Sequence, residues 1–175
     1  MTKHAPQTVG RNSNRANTAF MLGLFTILAA LAFEHIGGYI PCELCLGQRV
    51  PYYVGLPLLA ILIAVWNRVP VPLRIVLTLC IAGIFAWGAW LGGFHAGVEW
   101  GFWSGPTACT GTGEGVSFGD LSNMNATRVI QCDQAQVRFF GLSFAGLNAI
   151  AATIITGFLI ASAQGQYARL RREAK

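Results

Sequence analysis

The sequence predicts an all-α integral membrane protein: a four-transmembrane-helix bundle with one short and one long loop on its outer side. Three observations predict it. The 175 residues are 54% hydrophobic and only 11% charged, against about 25% charged in an average soluble domain, so too few charges remain to cover a water-facing surface. Four mainly apolar runs lack Asp, Glu, Lys and Arg: Ala16–Phe33, Val50–Trp66, Ile75–Phe94 and Phe139–Ala163. Each falls near the roughly 17–25 residues that a helix needs to cross a bilayer, and lipid offers the backbone no partners outside a helix. The charges flanking these runs alternate in sign. The same composition excludes a disordered chain, which needs low hydrophobicity and high charge. The net charge of +5 does not point to nucleic acid, because the basic residues sit at the ends of apolar runs and not among aromatics on a polar face.

With flanks included, the spans are expected at about 16–36, 46–66, 73–94 and 139–163, in a single membrane domain over residues 1–175. Residues 1–15 are polar and expected to be mobile. Arg11, Arg15, the following apolar run and Ala30-Leu31-Ala32 imitate a cleavable secretory signal. An uncleaved first helix explains more, because removing it would break the charge alternation. Pro51 falls in the first turn of the second span, where proline is tolerated, and Pro57 is expected to kink it. Nine of the twelve basic residues (Lys3, Arg11, Arg15, Arg68, Arg74, Arg169, Arg171, Arg172 and Lys175) share one side if four spans alternate. Six of the seven acids (Glu34, Glu43, Glu99, Glu114, Asp120 and Asp133) share the other. The positive side is cytoplasmic, which puts both termini inside and the loops 37–45 and 95–138 outside. Most of 101–125 reads as Gly/Ser/Thr/Asn-rich loop. Val116, Phe118, Leu121 and Met124 form a weak surface-helix pattern. Phe94, Trp100, Phe102 and Trp103 read as an interfacial aromatic belt.

Of five cysteines, four fall on the outer side: Cys42 and Cys45 in a C-x-x-C at the mouth of span two, and Cys109 and Cys132 in the long loop. Cys80 lies alone inside a span, read as a buried thiol that packs as a small hydrophobe. The pattern suits two disulfides plus one thiol, although four outer cysteines allow three pairings. A staple suits Cys109–Cys132, whose closure could stabilise the loop by roughly 3–4 kcal/mol. It suits the C-x-x-C poorly, because so small a ring removes little entropy; such a motif is more often redox-active or metal-binding. A metal reading would use Cys42, Cys45 and His95 with Cys109 or Cys132. It is disfavoured because the ligand spacing is irregular and the compartment oxidising. Gly111, Gly113 and Gly115 lack the strand and lysine of a phosphate loop. Cys45 and Arg49 stand at i and i+4, on one helical face. A helix N-terminus and a guanidinium both favour a thiolate there, while Glu43 opposes it. A planar guanidinium can also hold a carbonyl oxygen.

Pro41-Cys42-x-x-Cys45-x-x-Gln48-Arg49, the loop pair Cys109 and Cys132, and Phe140-Gly141-Leu142-Ser143 resemble the bacterial disulfide bond formation protein B (DsbB) family over roughly residues 17–163. The resemblance implies an inner-membrane thiol oxidase that reoxidises a periplasmic thioredoxin-fold partner (DsbA-like) and passes the electrons to a membrane quinone, ubiquinone or menaquinone. It implies that Cys109 forms the mixed disulfide with the partner, that Cys132 exchanges with Cys42, and that Cys45 faces the quinone. Arg49 would hold a quinone oxygen, with Gln48 and His95 beside it. A vitamin K epoxide reductase-like protein is the second enzymatic reading; that family usually has its loop pair before its C-x-x-C, the reverse of the order here. A membrane scaffold merely stapled by disulfides is the reading from a different class.

Overall fold

The computed structural model describes residues 5–106, 132–133, 135, 137–139 and 141–174. Helix α1 runs Ala5–His35, α2 Glu43–Gly47, α3 Val50–Ala64, α4 Val71–Glu99 and α5 Phe144–Glu173. A two-stranded antiparallel hairpin, β1 (Arg138–Phe139) and β2 (Leu142–Ser143), precedes α5 with Arg138 opposite Ser143. Four segments are long and apolar enough to cross a membrane: Gly10–His35, Glu43–Ala64, Val71–Glu99 and Phe144–Glu173. The weak helix pattern at Val116, Phe118, Leu121 and Met124 lies outside the described residues, as do Cys109 and Phe140.

The helices outrun the apolar runs. Residues 5–15, expected to be mobile, are helical, because the polar end of α1 packs on the polar end of α5. Arg15 Nη1 donates to the Ala161 carbonyl at 2.8 Å and Ser162 Oγ to the Asn12 carbonyl at 2.9 Å. The third helix continues from the expected end at 94 to Glu99, so His95 is a helix residue and not a loop residue. The fourth begins at Phe144, five residues after the expected start. Gly141, at φ 86°, takes the left-handed conformation that glycine adopts cheaply and turns the hairpin. Ser143 then caps α5, its Oγ accepting from Gly146 N at 3.2 Å.

Between α2 and α3 the helix is interrupted at Gln48 and Arg49. Pro51 has no N–H to give to Gly47, and its ring crowds that carbonyl. The chain tightens there, with Arg49 N donating to Leu46 O at 3.1 Å. Pro57 lies inside α3 without interrupting it. In lipid there is little hydrophobic drive between helices, so small residues that permit close approach carry the association. A Cβ on Gly92 of α4 would sit 2.9 Å from Ala149 N of α5. Ala16, Ala19, Leu59, Phe85, Ile155 and Leu159 make the core.

At the end away from Cys42, Arg74 is buried. Its Nε donates to Gln166 Oε1 at 2.8 Å and its Nη1 to the Trp66 carbonyl at 2.7 Å. Its guanidinium lies 4.9 Å from the Trp66 ring centre. The sequence had suggested no more than a flanking charge. Cys80 is a free thiol on the exposed side of α4 and not a packed one. The buried positions Arg74, Thr78, Ile81, Ala82 and Phe85 define the inner face, and residue 80 falls off it.

Candidate active site

Cys42 is the N-cap of α2, with extended backbone at φ −76° and ψ 171°. Its Sγ accepts from the Cys45 N–H at 3.3 Å. Cys42 and Cys45 are free thiols with sulfurs 2.7 Å apart. Cys132 is disulfide-bonded and almost fully buried; its partner lies outside the described residues. Cys42 and Cys132 pack together with Leu44 and Cys45. The sequence reading put the favoured thiolate on Cys45. The acceptor environment surrounds Cys42 instead. The Cys45 thiol beside it, opposed by burial and helped by the His95 imidazole, pulls the Cys42 thiol down to about 4.

His95 is buried in the last turns of α4. Its Nε2 lies 3.8 Å from Cys42 Sγ and 3.2 Å from the Cys132 carbonyl. Its Nδ1 is 2.7 Å from Gln48 Nε2. The direction of that bond follows from its neighbours. Tyr52 O–H donates to Asn148 Oδ1 at 2.7 Å, and Asn148 Nδ2 donates to Gln48 Oε1 at 2.7 Å. Gln48 therefore turns its amide nitrogen to His95 and donates. Nδ1 accepts, and the neutral ring carries its proton on Nε2, facing Cys42 and the Cys132 carbonyl. Tyr52 and Asn148 had no place in the sequence reading. The signal available for Asn148 was a single Asn in an otherwise apolar run, where a polar side chain is costly and usually has a task.

Arg49 follows Cys45 through a tightened turn whose backbone stays right-handed, and both residues border the same cavity. Its guanidinium pairs with Glu34 of α1. Glu34 and Glu99 had been counted only as outer-side acids. Glu99 is buried, one turn after His95, with Oε1 3.8 Å from His95 Nε2. Its Oε2 has no hydrogen-bond partner among the described residues.

All of these groups except Cys132 border one cavity of about 580 Å³. Leu22, Phe25, Phe33 and Ala30 of α1 and Phe144, Leu147 and Ala151 of α5 supply apolar walls. Cys42, Cys45, Gln48, Arg49, His95 and Glu99 supply the polar part. An apolar slot with a few convergent polar groups is the usual form of a small-molecule site. Phe94, Trp100, Phe102 and Trp103 do not line it. Phe94 and Trp103 stack at 5.9 Å, and Trp100, Phe102 and Trp103 face outward. The Cys42, His95 and Cys132 ligand atoms converge within 4.8 Å. That closeness could hold a metal ion, but the Cys132 sulfur is already bonded, and the same spacing serves sulfur exchange.

A multi-pass helical bundle holding a dithiol against a disulfide has the construction of a membrane thiol–disulfide oxidoreductase. The sequence model of the family described as disulfide bond formation protein DsbB matches residues 13–162. The chain belongs to that family, whose members are membrane oxidoreductases of disulfide-bond formation. No curated protein and no solved structure matches it.

Proposed function

We propose that the protein reoxidises a periplasmic thioredoxin-fold dithiol protein (DsbA-like) and delivers the electrons to the membrane quinone pool, ubiquinone or menaquinone. In this reading it lies in the bacterial inner membrane with both termini cytoplasmic and Cys109 and Cys132 on the periplasmic side. Cys109 forms the mixed disulfide with the partner. The Cys132 thiolate freed in that step attacks Cys42 of the Cys42–Cys45 disulfide and releases Cys45; once the partner's second thiol has freed Cys109, Cys109 attacks Cys132 and releases Cys42, so the loop disulfide is regenerated as the Cys42–Cys45 pair is reduced. The observation that carries this reading is the convergence of Cys42, Cys132 and His95 within 4.8 Å, with Cys42 and His95 also lining the apolar cavity.

The chain's own groups set the direction of exchange. The Cys45 N–H and the Cys45 thiol stabilise Cys42 as thiolate, which makes it a good leaving group when the loop disulfide re-forms. The His95 Nε2–H, fixed by the Tyr52–Asn148–Gln48 chain, stays aimed at sulfur. What supports a quinone here is a cavity with polar Arg49, Gln48 and His95 beside apolar walls on α1 and α5. When bound, a quinone supplies the two-electron acceptor that the protein lacks. Arg49, Gln48 and His95 would hold its ring, and Arg49 would leave or share Glu34 to do so.

The test is purified protein mixed with quinone and a reduced thioredoxin-fold partner, with quinol followed optically. Quinol formation that depends on all four cysteines supports the reading. A Cys42–Cys45 pair that fails to equilibrate with a mild dithiol would instead favour the stapled scaffold.

A further inference from the structure

We propose that the end of the bundle away from Cys42 carries a binding site for one lipid with an anionic phosphodiester headgroup, seated on Arg74 and Arg169. The site is remote from the sulfur chemistry and does not rest on the quinone-linked reading. It starts from a charge that the fold leaves unmatched. Arg74 is the fourth residue of α4 and only 6% exposed. A cation at the edge of the hydrocarbon is costly unless something answers its charge. The partners of Arg74 are neutral: the Gln166 amide oxygen, the Trp66 carbonyl and the Trp66 ring. Among the described residues no carboxylate pairs with it. Glu173, near the end of α5, is taken by Arg169 Nε at 2.7 Å.

The surroundings say what is missing. Trp66 Nε1 is sealed from the surface with no acceptor among the described residues, an uncommon state for a buried N–H. Arg74 Nη2 has no hydrogen-bond partner there either, yet it is not sealed, so it opens to the surface of the bundle. Donors therefore outnumber acceptors. A second cation stands by, because Arg169 of α5 is near enough to act on Arg74 through space. Two guanidiniums share one carboxylate, and one positive charge is left over. A phosphodiester brings one negative charge and only acceptors, and a guanidinium fork suits its oxygens. A zwitterionic headgroup brings a cation of its own and cancels that gain. Arg74 lies at the start of the span Val71–Glu99, the depth of a headgroup. Exposed Leu73 and Leu77 beside it give the acyl chains an apolar surface. Basic pockets between membrane helices on the cytoplasmic side take anionic headgroups in this way.

The experiment melts the full-length protein in a neutral detergent while phosphatidylglycerol, phosphatidylcholine with the same acyl chains, or inorganic phosphate is titrated in. A ligand that binds the folded state raises the melting temperature as its concentration passes Kd. We expect a saturating rise with phosphatidylglycerol and none with the other two. Arg74→Gln should weaken the phosphatidylglycerol titration about ten- to a hundredfold, the loss of one charge-assisted hydrogen bond. Arg171→Gln, at an exposed position of α5, should leave it unchanged. Equal rises with both lipids overturn the proposal. So does a rise that inorganic phosphate reproduces, the mark of a free-anion site. An equal loss in Arg74→Gln and Arg171→Gln overturns it as well, since attraction to the basic tail would then be diffuse. If Arg74→Gln fails to fold, Arg169→Gln makes the same comparison from a side chain that is 27% exposed.

Discussion

The depressed Cys42 thiol makes a prediction in which the shape of a pH profile matters more than any single rate. An ordinary thiol, with a pKa of about 8.5, is about 3% thiolate at pH 7. Cys42, at about 4, is almost wholly thiolate, a gain of roughly thirtyfold in the attacking form. Nucleophilicity falls as the pKa falls, with a Brønsted slope of about 0.4–0.5, so a drop of roughly 4.5 units slows each thiolate roughly 60- to 180-fold. The two effects nearly cancel at pH 7, and the rate there identifies nothing. Between pH 5 and 8 an ordinary thiol's alkylation climbs about tenfold per unit, whereas that of Cys42 should change by about a tenth. The assay is iodoacetamide labelling of the reduced protein in detergent, with the Cys42 peptide followed by mass spectrometry from pH 4 to 9. Cys45→Ala should move the inflection up furthest and His95→Ala by less, following the order of their effects on Cys42. A wild-type rate that rises tenfold per unit from pH 5 would refute the assignment of the thiolate to Cys42. The sign for stability follows from a depressed acid. The contribution to the dithiol fold is present above the unfolded thiol's pKa and is lost as pH falls toward about 4.

Arg49→Lys should raise the apparent KM for quinone roughly ten- to a hundredfold, the loss of one charge-assisted hydrogen bond worth about 1.5–3 kcal/mol, while single-turnover exchange with the partner continues; unchanged quinone dependence would return Arg49 to a purely structural pairing with Glu34. Gly92→Ala should lower the melting temperature in detergent even though alanine favours helix, because the added methyl meets the α5 backbone and overpacking costs about 1–3 kcal/mol; a raised melting temperature would show that the crossing can relax. A membrane-impermeant thiol reagent applied outside reduced cells should label Cys42, Cys109 or Cys132 and spare Cys80, which faces outward from α4 at membrane depth; labelling of Cys80 would overturn the four-span topology.

The four spans were legible because charge is so costly in lipid that its absence marks each run. Their ends were not legible in the same way. Asn12, Arg74 and Gln166 look like solvent-facing flanks, yet each is buried by the others' company. The faces were hidden for a related reason. In α3 the buried Tyr52, Leu56 and Leu59 and the exposed Tyr53, Val54 and Leu58 are all apolar or aromatic, so no periodicity separates core from lipid. At the site, the cysteines, Gln48, Arg49 and His95 were legible because their types carry chemistry. The pairing of Arg49 with Glu34 was not legible, because it joins α1 to the start of α3 and spacing along one helix says nothing about a neighbour on another. Tyr52 and Asn148 are chemically unremarkable. Their role exists only where α3 and α5 meet, 96 positions apart.

The polar groups around the cavity also show where function is to be sought. In a low-dielectric interior an amide or imidazole is stable only when its donors and acceptors are matched. From Tyr52 through Asn148 and Gln48 to His95 each donor meets an acceptor, so the imidazole is held by a continuous hydrogen-bonded chain. Arg49 and Glu34 cancel each other in the same way. A fully matched set would be a rigid scaffold with nothing left to do. Among the described residues two groups at the cavity escape the matching: the Cys42 sulfur, whose neighbours favour the thiolate, and Glu99 Oε2, which has no hydrogen-bond partner there. His95 Nε2 stands 3.8 Å from Cys42 Sγ and 3.8 Å from Glu99 Oε1. The surrounding order holds His95 beside the Cys42 sulfur and the Cys132 backbone, so the matched polar groups serve to position the one part of the site where sulfur bonds can be made and broken.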